Sequence, residues 1–441
     1  MLILFFTGPP GSINQDENIS NKTTFYFVQA FAEQKSAGLK LGMKQFLLFF
    51  ILLFLPIILF AQKGLQKCDS LVTEKQYLSA FECYDKADPE NSEPDVVMKK
   101  AELALDYNVK SIRNHLFAFV DLRPVEELDT LRKVLKNDSF RFYEFKIDSV
   151  LLRLSERYPG NFQLVKTLGD FYYITYREMG DNWFISAKQL LNKFYDLYLK
   201  AYENGVYDAQ SLYAIAFYHS VFEDYEEAEA WYKKSLALKP DDPLTAYGMG
   251  VNCLLNRKPG KGIEPMRTAF QLYSDPLKKG DAARVLGIMY YKTDRKQEAL
   301  EMFQKSDSLS PAYHPNQMFL LRSQLQMGQD KPALELAGVI FDQAPVDPDV
   351  PDELLEMFRI EGEGELLATL FSNLLQQYRH NPEANGNIRF HYGKLLYLEG
   401  YHKKAVKMFR KSKKQFQKTL PRDHHVFKML DDMIEKINEQ G

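Results

Sequence analysis

The sequence predicts an all-α fold, a solenoid of paired helices, and three observations carry that expectation. First, four stretches repeat one design: "YEEAEAWYKKSLALKP" (225–240), "PGKGIEPMRTAFQLYSDP" (259–276), "RKQEALEMFQKSDSLSP" (295–311) and "DKPALELAGVIFDQAP" (330–345). Each sets a small residue early (Ala228, Gly262, Ala299, Ala333), and these are spaced by 34, 37 and 34 residues. Second, a small or apolar residue stands in each preceding helix, at Ala216, Gly250, Gly287 and Leu321. Antiparallel helices approach closely only where small side chains face each other, and a period in this range marks stacked supersecondary units. Third, no strand-like alternation of any length competes with the helical pattern.

Taken in order, the elements start with a decoy. Leu2–Phe6 followed by Gly8-Pro9-Pro10-Gly11-Ser12 resembles a phosphate loop in outline. Counted from Gly8, the positions of the second Gly, the Lys and the hydroxyl hold Ile13, Asn14 and Gln15, so the phosphate chemistry is missing. From Met43 the chain has the anatomy of a signal peptide: Lys44, a 15-residue apolar run from Phe46 to Phe60, and Ala61 before Gln62. That run is short for a membrane span and holds Pro56, although an uncleaved inner-membrane signal anchor is the alternative. The ending "LFAQ" (59–62) resembles signal peptides of Bacteroidetes-type bacteria, so translation is expected to begin at Met43, with 1–42 an upstream extension and the product exported to the periplasm or the outer membrane.

The chain as a whole has the composition of ordinary globular material, 45% hydrophobic and 26% charged, with a net charge of −3. Residues 1–61 carry four Lys against three acidic residues, so cleavage leaves −4. Neither value suggests nucleic acid. The three cysteines form no C-x-x-C pair. Cys68 and Cys83 fall on consecutive expected helices and are either a disulfide or two buried thiols; Cys253 is expected in the core. Asn137-Asp138-Ser139 fits a glycosylation acceptor, of little meaning in a bacterial envelope.

The repeat signature is fullest at Ala283, Leu286, Gly287, Tyr290, Ala299, Phe303, Ser306 and Pro311, and returns at Gly393, Ala405, Phe409 and Ser412. It resembles the tetratricopeptide repeat, strongly over 209–347 and again at 386–415. Ala80, Tyr84, Ala87 and Pro89, and then Leu168, Gly169 and Tyr172, are weaker matches. The resemblance implies a right-handed superhelical stack. Its expected parts are a divergent helical region (62–200), regular repeats (201–347), a degenerate pair and a last repeat (348–420), and a capping helix (421–441). Val426, Phe427, Leu430, Met433, Ile434 and Ile437 give that last helix one apolar face.

The resemblance further implies that the first helix of each pair lines a concave groove. Residue by residue it would place Gln210, Tyr213, Phe217 and Ser220 there, then Leu244, Tyr247, Val251 and Leu254. Asp281, Arg284, Ile288 and Tyr291 follow, then Met318, Arg322 and Leu325. Tyr213, Phe217 and Val285 stand where some relatives clamp a C-terminal carboxylate, so no such clamp is expected. An aromatic and aliphatic groove suits a protein or peptide partner, and open rings would alternatively suit carbohydrate.

Lys403, Lys407, Lys411, Lys414 and Lys418 recur every three or four residues and form a basic stripe. It is either a solvated helix face or a contact for an anionic envelope polymer or lipid surface. The stretch 346–365, with eight acidic residues against one Arg, would offset it within the fold. The eight histidines are scattered, and neither H-E-x-x-H nor G-x-S-x-G occurs. No catalytic residue, metal site or cofactor is expected.

Overall fold

A computed structural model describes residues 65–134 and 140–440. The expected leader at 43–61, the stretch 1–42 and the acceptor Asn137-Asp138-Ser139 lie outside the described residues. The chain divides into two compact units, one up to Tyr218 and one from His219.

The first unit opens with α1 (65–73), α2 (Tyr77–Ala87) and α3 (Pro94–Asp106). Cys68 and Cys83 form a disulfide between α1 and α2, with Cα atoms 5.5 Å apart. Tyr84 Oη donates to Asp69 Oδ1 across the same pair. The sequence shows no strand, yet a three-stranded antiparallel sheet follows: β1 (Lys110–Ile112), β2 (Leu116–Ala118) and β3 (Tyr143–Glu144), in the order β1-β2-β3. Strands of two or three residues are too short to display an alternating pattern. Their reversal runs through Arg113 and Asn114, both with φ of 52°, and Asn tolerates that left-handed region better than most residues. The sheet region buries Phe117, Phe119 and Phe145, and Phe81 of α2 stacks on Phe119 at 4.6 Å. Lys100 of α3 is buried with them, its Nζ over the Phe81 and Phe145 rings and bonded to Asp85 Oδ1 at 2.6 Å. α4 (Leu128–Val134), α5 (Ile147–Arg157), α6 (Phe162–Met179) and α7 (Ala187–Glu203) complete the unit; α8 (Ala209–Val221) runs through its end.

The second unit continues with α9 (Tyr225–Leu238), then α10 (Pro243–Leu255) and α11 (Pro259–Leu272), α12 (Pro276–Lys292) and α13 (Lys296–Leu309). α14 (His314–Gln326) and α15 (Asp330–Gln343), α16 (Asp349–Ile360) and α17 (Gly364–Gln377), and α18 (Pro382–Leu398) and α19 (His402–Phe416) follow, before α20 (His425–Gln440). Prolines after the second helices partly serve to open the next: Pro276 is in the first turn of α12, where its missing N–H breaks no bond. Asp242, Asp275 and Asn381 accept from backbone N–H groups two or three residues on and cap α10, α12 and α18.

The helix crossings follow the small residues. A Cβ on Gly287 would lie 2.6 Å from Phe303, and one on Gly393 would lie 2.6 Å from Phe409. Gly250 meets Met266 in the same way, and Gly169 meets Tyr198 in the first unit. α16 and α17 instead cross on larger side chains, with Leu354, Phe358, Leu367 and Phe371 fully buried. α20 turns Val426, Phe427, Leu430 and Ile437 inward, with Asp431, Asp432 and Glu435 outward.

One regularity escapes sequence reading. A left-handed residue stands two positions before the second helix of seven pairs, though not of α6 and α7: Lys75, Glu223, Arg257, Asp294, Gly328, Gly362 and Gly400. Four of the seven carry side chains, so the turn leaves no glycine signal at those places.

Gly338 is the contrasting case, because inside α15 its missing Cβ faces nothing within 4 Å. Gly338→Ala is expected to stabilise the protein by about 0.5–1 kcal/mol, the ordinary helix preference for Ala over Gly, as a raised urea midpoint.

Candidate functional site

The first helices of the second unit are tied to one another by side chains. Ser220 Oγ donates to Asn252 Oδ1 of α10 at 2.8 Å. Tyr247 Oη of α10 donates to Asp281 Oδ2 of α12, and burial and that carboxylate push the phenol well above its ordinary range. Arg284 holds the other oxygen of Asp281, with Nε at 3.0 Å. From α12 to α14, Gln326 Nε2 donates to Tyr291 Oη at 3.0 Å, and Arg322 lies over the Tyr291 ring. From α14 to the end of α16, Arg322 Nε donates to Glu361 Oε1 at 2.7 Å and Gln326 Nε2 to Glu361 Oε2 at 2.9 Å. His314 Nε2 meets Glu353 Oε2 at 2.8 Å, and Lys394 of α18 pairs with Asp352.

This ladder corrects part of the expected groove. Tyr213 is 6% exposed, Tyr247 1% and Arg284 4%, so none presents an open face to a partner. The cause for Tyr247 and Arg284 is Asp281, which draws both side chains into the junction between consecutive helices. Phe217 is half-buried in the first unit, its ring 5.9 Å from Tyr176. In the second unit Val251, Ile288, Tyr291, Met318 and Arg322 are half-buried, so the surface left there is mainly aliphatic, with Arg322, Gln326 and Glu361 as its polar part. Sequence reading missed Gln326 and Glu361; no repeat position marks them, and only the neighbouring pairs show what they bond.

Four of the five lysines of the basic stripe share one helix. Lys403, Lys407, Lys411 and Lys414 are exposed on α19, and Lys418 lies just past its end, bonded to Gln415. The acidic stretch does not offset it: Asp352, Glu353, Glu356 and Glu361 take Lys394, His314, Arg359 and Arg322.

A titratable cluster stands in the first unit. Lys166 lies between Asp170, at 3.1 Å, and Asp208, while Tyr198 Oη donates to Asp170 at 2.9 Å. Burial opposes the Lys166 charge, but the two carboxylates hold it above its ordinary range. Such a group is an ion-paired tie rather than a nucleophile with its base. Among the described residues no three His, Cys, Asp or Glu side chains group as metal ligands, and no helix is long and apolar enough to cross a membrane.

Residues 209–242 match the tetratricopeptide repeat family model. No curated protein matches the chain. Similar solved structures include YrrB, a tetratricopeptide-repeat protein with an unusual peptide-binding site, 14% identical over 55% of this chain and 97% of that one, with a TM-score of 0.36. PilF of Pseudomonas aeruginosa is 14% identical over 52% and 96%, with a TM-score of 0.36. A tetratricopeptide repeat protein from Parabacteroides merdae is 11% identical over 57% and 93%, with a TM-score of 0.35. Likeness at this level bears on no ligand or partner. Residues 209–242 are thus one matched tetratricopeptide repeat in an all-α chain whose later helix pairs cross on small residues.

Proposed function

We propose that the protein is a non-catalytic scaffold of the bacterial cell envelope that holds a protein partner on the first-helix face of its second unit. The carrying observation is the half-buried row Val251, Ile288 and Met318 beside the Tyr291–Gln326–Glu361–Arg322 network, an aliphatic strip with fixed polar groups. Such a strip suits an extended or helical peptide segment, which brings both apolar side chains and hydrogen-bonding groups. Tetratricopeptide-repeat proteins are generally non-catalytic scaffolds that bind proteins or peptides. The carbohydrate or envelope-polymer alternative asks for open stacking rings, and the burial of Tyr213 and Tyr247 counts against it. Export is supported by the leader anatomy of 43–61 and by the Cys68–Cys83 disulfide, a bond that persists in oxidising compartments.

The test is crosslinked affinity purification from the native host's envelope fraction, with wild-type protein beside Ile288→Glu and Met318→Glu variants that melt like it. A protein enriched by wild type and lost from both variants is the expected result. Equal capture by the variants, or no enriched protein, overturns the groove reading. An N-terminal peptide beginning at Gln62 is expected in the same spectra, and peptides from 1–42 would overturn the start at Met43.

A further inference from the structure

We propose that the outer face of α19 docks on an anionic phospholipid bilayer. The inference takes from the export reading only that the protein meets a membrane surface, and it does not depend on the first-helix face.

α19 carries seven cations, Lys403, Lys404, Lys407, Arg410, Lys411, Lys413 and Lys414, and no acidic residue. Two equivalent helices mix signs: α9 sets Glu226, Glu227 and Glu229 against Lys233 and Lys234, and α13 sets Glu298, Glu301 and Asp307 against Lys296 and Lys305. Within α19, Lys413 pairs with Asp431 of α20 and Lys404 lies over the Tyr401 ring. For Lys403, Lys407, Arg410, Lys411 and Lys414 no carboxylate partner stands among the described residues. At about 100° and 1.5 Å per residue, those five fall within roughly a 100° arc about 16 Å long. Like charges three and four residues apart oppose the helix that carries them. A face that only kept the protein soluble would do better with both signs.

The helix cannot roll to disperse this charge. Its other side is committed to the core through Ala405, Val406, Phe409, Ser412 and Phe416, with Phe409 locked against Gly393 and Phe416 against Gly386. The basic face is therefore held outward, with a depression of about 400 Å³ lined by Lys403, Val406, Lys407, Arg410, Lys411 and Lys414. Four of these five cations are Lys, a point charge that meets phosphate without demanding a fixed fork geometry. A plane of lipid phosphates offers such undirected, closely spaced negative charge, and clustered Lys near an anionic leaflet adds attraction charge by charge. At the helix entry Tyr401 and Leu398 are each 54% exposed, supplying an aromatic and an aliphatic side chain of the kind that settles at headgroup level.

The test uses the purified exported chain and co-sedimentation with vesicles of phosphatidylcholine alone or with about 30% phosphatidylglycerol. Binding to the anionic vesicles is expected to exceed binding to the neutral ones by about tenfold or more, and to fall as salt shortens the screening length. Lys407→Glu/Lys411→Glu is expected to abolish that excess. Lys428→Glu/Lys436→Glu, the same charge change on the exposed face of α20, is expected to keep it. Equal binding to both vesicle types, or α19 and α20 variants that behave alike, overturns the proposal. So does capture of a soluble acidic peptide such as oligoglutamate without capture of vesicles, which would assign the face to an acidic protein. Matching melting temperatures for the two variants exclude misfolding as the cause of a loss.

Discussion

Phe303→Ala is expected to lower the stability of the second unit by about 3–5 kcal/mol, the usual range for removing a fully buried aromatic ring. Phe303 is fully buried, stacked on Phe319 at 5.4 Å, with its edge seated in the space that Gly287 leaves open. Because α12 and α13 are held apart by that ring, its loss opens a cavity that the crossing cannot close without shifting both helices. The converse substitution tests the same contact. Gly287→Ala would gain about 1 kcal/mol of helix preference, yet its Cβ would stand 2.6 Å from the ring, and overpacking typically costs about 1–3 kcal/mol. A net loss is expected at Gly287, where the same change at the open Gly338 is expected to stabilise. Combining Gly287→Ala with Phe303→Leu should cost less than the sum of the two single changes, because the smaller side chain makes room for the new methyl. Urea unfolding of the four proteins measures the cycle. Strict additivity, or a stabilised Gly287→Ala, would show that the ring and the glycine do not interlock.

That contact was legible in the sequence because close approach of two helices demands a small residue at one place and a large one at another. Gly287 with Phe303 and Gly393 with Phe409 carry that demand in their spacing, so the fold class follows from few positions. Exposure on the first-helix face was not legible to the same degree. Whether Tyr247 and Arg284 face solvent depends on Asp281, which stands in the next pair for Tyr247 and on its own helix for Arg284, and no repeat position records what a neighbour's carboxylate will take. The small sheet of the first unit is hidden for a different reason. Its strands are too short for periodicity, and its reversal rests on Arg113 and Asn114 instead of a glycine. The basic face of α19 was legible in its four lysines, Lys403, Lys407, Lys411 and Lys414, while Arg410 was missed and Lys418 falls past the helix end. The pairing of the acidic stretch with Lys394, His314, Arg359 and Arg322, which leaves that face uncompensated, required the structure.

The second unit is expected to lose stability on acidification through one histidine. His391 on α18 is 2% exposed, and neither ring nitrogen makes a hydrogen bond among the described residues; Nδ1 lies 3.4 Å from Asp352 Oδ1. Burial, and then the Lys394 ammonium on the same helix, push its pKa down to about 4, against the opposing pull of Asp352. In the unfolded chain the same imidazole titrates near 6.5. Between those values the unfolded chain takes up a proton that the folded chain refuses, so the stabilisation is fully present above about pH 6.5 and is lost as pH falls to about 4. A difference of that size is about 3 kcal/mol. Below it, a protonated His391 would stand beside Lys394, with Asp352 already shared between them. The measurement is a series of urea midpoints from neutral pH downward, for wild type and His391→Gln, reading the slope against pH rather than the absolute stability. The variant is expected to show a shallower slope in that window only. Parallel curves would mean that His391 takes up its proton in the folded protein as readily as in the unfolded one.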